Sequence, residues 1–270
     1  MISEKIELLG KGLYKTIPDE LTLKAIPTVS ELEYVSSEEF EKTMLDNIFP
    51  AAIEEKCNFH ELLEIDFQWI CRCLRLLNYG PYHTTNAIIC SKCGYIPGEA
   101  RVDLRTVACK PLPEGFVNEI KLTKDEFIDF KGDVTLHLPT IQEVLNAYSD
   151  KLFQTRDGNI NRDYARLCYM VTSVGKDKDL SPVTIKARIE KDLSSADFMI
   201  LKQRVLELTD YGLRAGGLCT CPKCGGETGR FLALVDDRFF RPTLGDLRSG
   251  KALRSARGTQ ESAGAETATV

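Results

Sequence analysis

Two turns, Cys90-Ser91-Lys92-Cys93-Gly94 and Cys221-Pro222-Lys223-Cys224-Gly225, constrain this chain more than any other feature. Each is a Cys-x-x-Cys followed by glycine, the form of a zinc knuckle. A tight loop sets two thiolates on one side, and the glycine lets backbone N–H groups approach the sulfurs. One knuckle offers two ligands, whereas structural zinc takes four in a tetrahedron. Two knuckles over a hundred residues apart therefore predict one structural zinc site, ligated by Cys90, Cys93, Cys221 and Cys224, that ties distant segments together. The competing reading is of buried thiols or separate disulfides. Cys219 extends the second turn to Cys-x-Cys-x-x-Cys and could replace one ligand.

The distance between the turns recurs elsewhere. Cys221 and Cys224 lie 131 residues beyond Cys90 and Cys93, and Gly225, Gly229 and Pro242 lie the same 131 beyond Gly94, Gly98 and Pro111. Asp66-Phe67 returns as Asp197-Phe198, each opening an apolar stripe: Phe67, Ile70, Leu74, Leu77 and then Phe198, Leu201, Val205, Leu208. Both stripes follow one face of a helix, and both stop at glycine, in Tyr79-Gly80 and Tyr211-Gly212. Earlier in each copy, Thr28-x-x-Glu31 and Thr140-x-x-Glu143 read as capping boxes preceded by proline. These matches predict an internally duplicated α+β protein with a first pseudo-repeat over 1–112 and a second over 113–247.

Each half is expected to hold a small β-hairpin or meander, two or more helices, and a zinc knuckle. Residues 6–9 and 21–26 would pair across Gly10-Lys11-Gly12, and segments 119–122, 126–130 and 134–138 would form the meander. Residues 101–107 and 231–235 would close the halves as strands. The second copy is longer between its helices, around 156–161, where turn residues predict an exposed loop. Phe240 falls on the position of Cys109, which points to the core, and leaves Phe239 as the better interface residue. From 248 to 270 the chain becomes an extended polar tail with too little apolar surface to fold alone.

The chain carries no apolar run long enough for a membrane span, and its first residues lack a secretory signature. Its ten cysteines then fit a reducing compartment and metal better than disulfides. Cys57, Cys71, Cys73, Cys109 and Cys168 read as small apolar core residues, with Cys71 on the apolar face of its helix and Cys73 pointing elsewhere. A net charge of −5 argues against a general nucleic-acid binder. The charge is uneven: residues 31–64 hold ten acidic side chains and two lysines, and residues 238–257 hold six basic ones against Asp246. These are either two solvated faces or complementary ends in a head-to-tail contact between copies. His60, His83 and His137 stand at no ligand spacing to a carboxylate and read as ordinary residues. Phosphate loops, His-Glu-x-x-His and Gly-x-Ser-x-Gly are missing from the sequence, so the expectation is a protein that is not an enzyme.

Residues 8–110 carry a family likeness. Lys11-Gly12-Leu13-Tyr14, an extended segment ending in a capped helix, the helix end Leu74-Arg75-Leu76-Leu77-Asn78-Tyr79-Gly80, the knuckle and Asp103-Leu104 together resemble baseplate proteins of T-even-like contractile-tailed phages. The second half joins this likeness only through the duplication. The resemblance implies a virion protein of the tail baseplate, made in the host cytoplasm and associated with the hub and its assembly. It would bind other tail and baseplate proteins, with copies of itself as one option. The alternative is a zinc-ribbon nucleic-acid-binding or regulatory protein using Arg230, Arg238, Arg241, Arg248, Lys251, Arg254 and Arg257.

Overall fold

Alternating apolar and polar residues near the N-terminus build the first hairpin of the computed structural model, which describes residues 3–30, 39–86, 90, 92–95, 99–213, 217–221, 223–231 and 240. Strand β1 (Ser3–Glu7) pairs antiparallel with β2 (Glu20–Lys24), running from Ser3 opposite Lys24 to Glu7 opposite Glu20. Ile6, Leu21 and Leu23 face the core. Leu8 and Leu9 do not extend β1 as expected. The Leu9 and Gly10 N–H groups donate instead to the Asp66 carboxylate, at 2.6 and 3.0 Å. Gly10 is required there, because a Cβ at this position would lie 2.7 Å from Asp66 Oδ2.

Residues 28–30 are helical, while Glu31 of the first capping box lies outside the described residues. A helical run follows, made of α1 (Phe40–Thr43), a π-helical turn (Met44–Ile48) and α2 (Phe49–Ala52). Pro50 cannot donate a backbone hydrogen bond, so the regular ladder is interrupted just ahead of it. The long helix α3 (Glu64–Tyr79) buries Phe67, Ile70 and Leu74 of the predicted stripe and ends at Gly80. Cys73 is buried as well as Cys71, at 6% exposure. That corrects the expectation that it points away: α3 is packed on more than one side, and its buried arc exceeds a single stripe.

The sheet of the second half has four antiparallel strands in the order β6 (Ile120–Leu122), β7 (Val134–Leu136), β8 (Val171–Val174), β9 (Asp177–Lys178). The strand expected over 126–130 does not form. Lys124–Glu126 is a 3-10 turn closed by a Thr123/Glu126 capping box, and the next backbone N–H groups turn to Asp197. Strand β7 keeps β6 on one side and takes β8, beyond the expected loop, on the other. Residues 156–161 lie outside helix and strand and are largely exposed, as expected; α5 (Arg162–Met170), β8, β9 and α6 (Pro182–Asp192) follow before the next long helix. Helix α4 (Ile141–Ser149) starts at the Thr140/Glu143 capping box as the sequence predicts. Helix α7 (Ser195–Leu208) is capped by Ser194 and stops short of Gly212, which opens strand β10 (Gly212–Leu213).

The apolar interior gathers in two interlocking clusters. Ile141 and Val144 of the second half enter the cluster of the first, and Leu63 and Ile65 of the first enter that of the second. The closing segments cross as well. Strand β5 (Cys109–Lys110) pairs with β10, placing Cys109 opposite Leu213, while Phe240 stacks on Phe40 and meets Tyr79 edge-on, with centroids 6.3 and 6.2 Å apart. Phe240 is thus a core residue, as its match to Cys109 predicts. Phe239 and residues 241–270, including the polar tail, lie outside the described residues. The architecture is α+β, and among the described residues no helix is long and apolar enough to cross a membrane.

Candidate metal centre

Each Cys-x-x-Cys turn sits at the tip of a short hairpin. Strands β3 (Tyr82–Asn86) and β4 (Glu99–Asp103) flank the first, and β11 (Gly217–Thr220) and β12 (Glu227–Phe231) the second. The expected strand over 101–107 ends early, where Asp103 caps a 3-10 turn at Leu104–Thr106. At the other end, β12 finishes at Phe231, and 232–235 lie outside the described residues.

The turns themselves have the same bonding. In the first, the Cys90 N–H donates to the Tyr95 carbonyl and the Gly94 N–H to the Cys90 carbonyl, both at 2.9 Å. In the second, the Cys221 N–H donates to Gly226 and the Gly225 N–H to Cys221, again at 2.9 Å. Gly94 and Gly225 adopt φ of +68° and +65°, which side-chain-bearing residues rarely occupy.

The turns meet. Cys90 Sγ lies 3.8 Å from Cys224 Sγ, and Cys93 Sγ lies 3.8 Å from Cys221 Sγ. All four sulfurs fall within 4.8 Å of one another. A tetrahedron with metal–sulfur bonds of about 2.3 Å has edges of about 3.8 Å, so the cluster matches the size of a four-thiolate site. The cysteines are free thiols, and Cys90 and Cys221 are buried while Cys93 and Cys224 reach the surface. The donor set is soft and closed, suited to zinc or an iron–sulfur centre rather than to magnesium or calcium. Among the described residues, the four cysteines are thus compatible with a metal site, and the sequence pattern finds all four. The side chain of Cys219 lies outside the described residues.

Electrostatics sets Cys90 apart from the buried thiols elsewhere. At Cys90, burial pushes the thiol up, but the N–H groups of Cys93 and Lys92 and the neighbouring thiols outweigh it and hold the group below its ordinary value. Its partner Cys93 moves the other way: a Tyr95 N–H pulls it down, but burial and three close sulfurs push it up. Thiol protons leave as a metal arrives. Burial above all raises Cys73 and Cys168 to about 12 and, with help from Glu55 and Glu61, Cys57 to about 11, keeping them protonated. Those three, with Cys71 and Cys109, pack as small apolar groups, although Cys57 and Cys109 are only half-buried.

The histidines are engaged elsewhere. His60 bridges Gln142 at 2.7 Å and Asp46 at 2.8 Å, and His137 meets Glu143 at 3.1 Å. His83 is buried. Most of the basic residues behind the nucleic-acid reading (Arg238, Arg241, Arg248, Lys251, Arg254 and Arg257) lie outside the described residues, as do 31–38 of the acidic stretch.

Sequence reasoning missed how the two matched aspartates work. Asp66 and Asp197 are both fully buried, and each carboxylate binds backbone N–H groups from the loop beside its own half's hairpin or sheet. An aspartate on the buried side of a helix's first turn was the available signal, since burial there demands donors. No protein-family model matches the chain, and no curated protein or solved structure matches it either.

Proposed function

We propose that this chain is a non-enzymatic structural and assembly component of a contractile-tail baseplate, in its hub region, rigidified by a structural zinc ion on Cys90, Cys93, Cys221 and Cys224. The observation that carries the metal reading is the convergence of two turns, distant in sequence, on four sulfurs with tetrahedral edge lengths. Four thiolates fill the coordination of zinc and leave no position for water or substrate, so the ion acts as a clamp. The equal hydrogen bonding of the two turns, and the shared use of Asp66 and Asp197, support descent of the halves from one duplicated unit. A clamp that fixes the angle between two similar halves lets their outer surfaces meet different neighbours.

The baseplate assignment rests on the resemblance of residues 8–110, with other tail and baseplate proteins as partners and the virion as destination. Metal content tests the clamp. Purified chain should carry one zinc, and Cys90→Ser with Cys93→Ser should lose it and melt at lower temperature. Zinc fingers gain about 10–16 kcal/mol from the ion; a chain with its own core depends on it less. Unchanged metal content in the double variant rules out this ligand set. For the tail reading, tagged chain should co-purify with baseplate particles. A nucleic-acid duplex shifted at low salt, and released steeply as salt rises, would favour the regulatory alternative.

A further inference from the structure

The third residue of each turn is a lysine, and both lysines reach across to the opposite turn. Lys223 Nζ stands 5.6 Å from the centroid of the Tyr95 ring. Lys92 lies against Gly226, where a Cβ would fall 2.9 Å from Lys92 Cδ and 3.3 Å from Cys224 Sγ. Tyr95 and Gly226 hold matching places, because each offers the carbonyl that accepts the N–H of its turn's first cysteine. The crossing is therefore reciprocal: each lysine covers the same spot on the other turn.

We infer that Lys92 and Lys223 are positioning residues of the metal centre, clasping one turn to the other and offsetting the charge of the thiolates. The inference rests on the metal reading above. A divalent ion held by four thiolates keeps an excess of two negative charges, and two ammonium groups balance it. The aliphatic stems add packing while the charged ends stay in water, in keeping with the exposure of both residues. The two contacts differ in chemistry. Lys223 meets an aromatic face, which attracts a cation, whereas Lys92 meets a glycine that leaves room for its stem.

The test compares the full chain with a Lys92→Met/Lys223→Met variant by zinc competition against a chelator, by the absorption of the cobalt-substituted protein, and by melting of the metal-free protein. The variant should keep one ion per chain and a four-thiolate cobalt spectrum, yet bind zinc about 10-fold or more weakly, the range seen when partners of metal ligands are removed. Arginine at both positions should restore most of the affinity, and metal-free melting should not change. Equal zinc affinity in wild type and variant overturns the inference. So does a loss matched by a drop in metal-free stability that arginine fails to repair. A wild-type chain that binds no zinc, behaving as Cys90→Ser/Cys93→Ser should, would instead overturn the metal reading and take the lysine role with it.

Discussion

Asp66 and Asp197 stand 131 residues apart, each in the first turn of a long helix, and each is fully buried. Their surroundings differ. Asp66 takes the N–H groups of Leu9 and Gly10 and the hydroxyl of Tyr14, which in turn accepts the Leu63 N–H at 3.0 Å. Asp197 takes three successive N–H groups, from Ile128, Asp129 and Phe130, together with the Ser194 hydroxyl. Burial raises the Asp66 carboxyl above its ordinary value despite the donated bonds. At Asp197 burial also pushes upward, but the donors outweigh it and hold the group below that value. The same tie between helix and loop is thus made once in a closed site shared with a tyrosine, and once in a nest of backbone amides that stabilises the charged form.

The contrast predicts unequal damage. Asp66→Ala leaves a buried Gly10 N–H and the Tyr14 hydroxyl without their acceptor, at roughly 1–3 kcal/mol each, so a total loss on the order of 3 kcal/mol is expected by urea unfolding. Asp197→Ala should lower the melting temperature less, because Ile128 and Asp129 are exposed and water can replace the carboxylate. Equal losses would erase the distinction. Next in size, Gly10→Ala forces a methyl against Asp66 and Leu63 and should cost about 1–3 kcal/mol. Asp129→Ala, on the corresponding loop of the second half, should stay within about 0.5 kcal/mol.

The smallest effect is one of sign. Asp66, raised in the folded protein, contributes stability that is present below its unfolded value and lost as pH rises through its folded one. Asp197, lowered in the folded protein, contributes above its unfolded value and loses that as pH falls through its folded one. The stability advantage of wild type over Asp66→Asn should therefore shrink from acid to neutral pH, and that over Asp197→Asn should grow. Parallel pH profiles of the two variants would contradict the assigned environments.

Much of this was legible in residues. The four cysteines, the Thr140 capping box, the first hairpin and the burial of Phe240 follow from spacing and local chemistry. What escaped was set by contacts between distant residues. Phe127–Phe130 looks like a strand until Asp197, far along the chain, claims its amides. Leu9 would prolong the hairpin but for Asp66, which takes its N–H, while Leu8 still donates to the Asp19 carbonyl. The exposed loop at 156–161 is where its turn residues predict, but no element was expected between it and the next long helix, where α5, β8 and α6 stand. Cys73 is buried because α3 is covered from more than one direction, which a single-face periodicity cannot express.

The crossing of the closing segments has a consequence for synthesis. A ribosome releases the first half before the ring that caps it exists: Phe240 is translated long after Phe40 and Tyr79, and Cys109 and Lys110 wait for Gly212 and Leu213. The first half cannot be sealed as it emerges. A nascent chain halted before residue 240 would present an open aromatic face to the cell, so truncated products should be captured by chaperones or proteases.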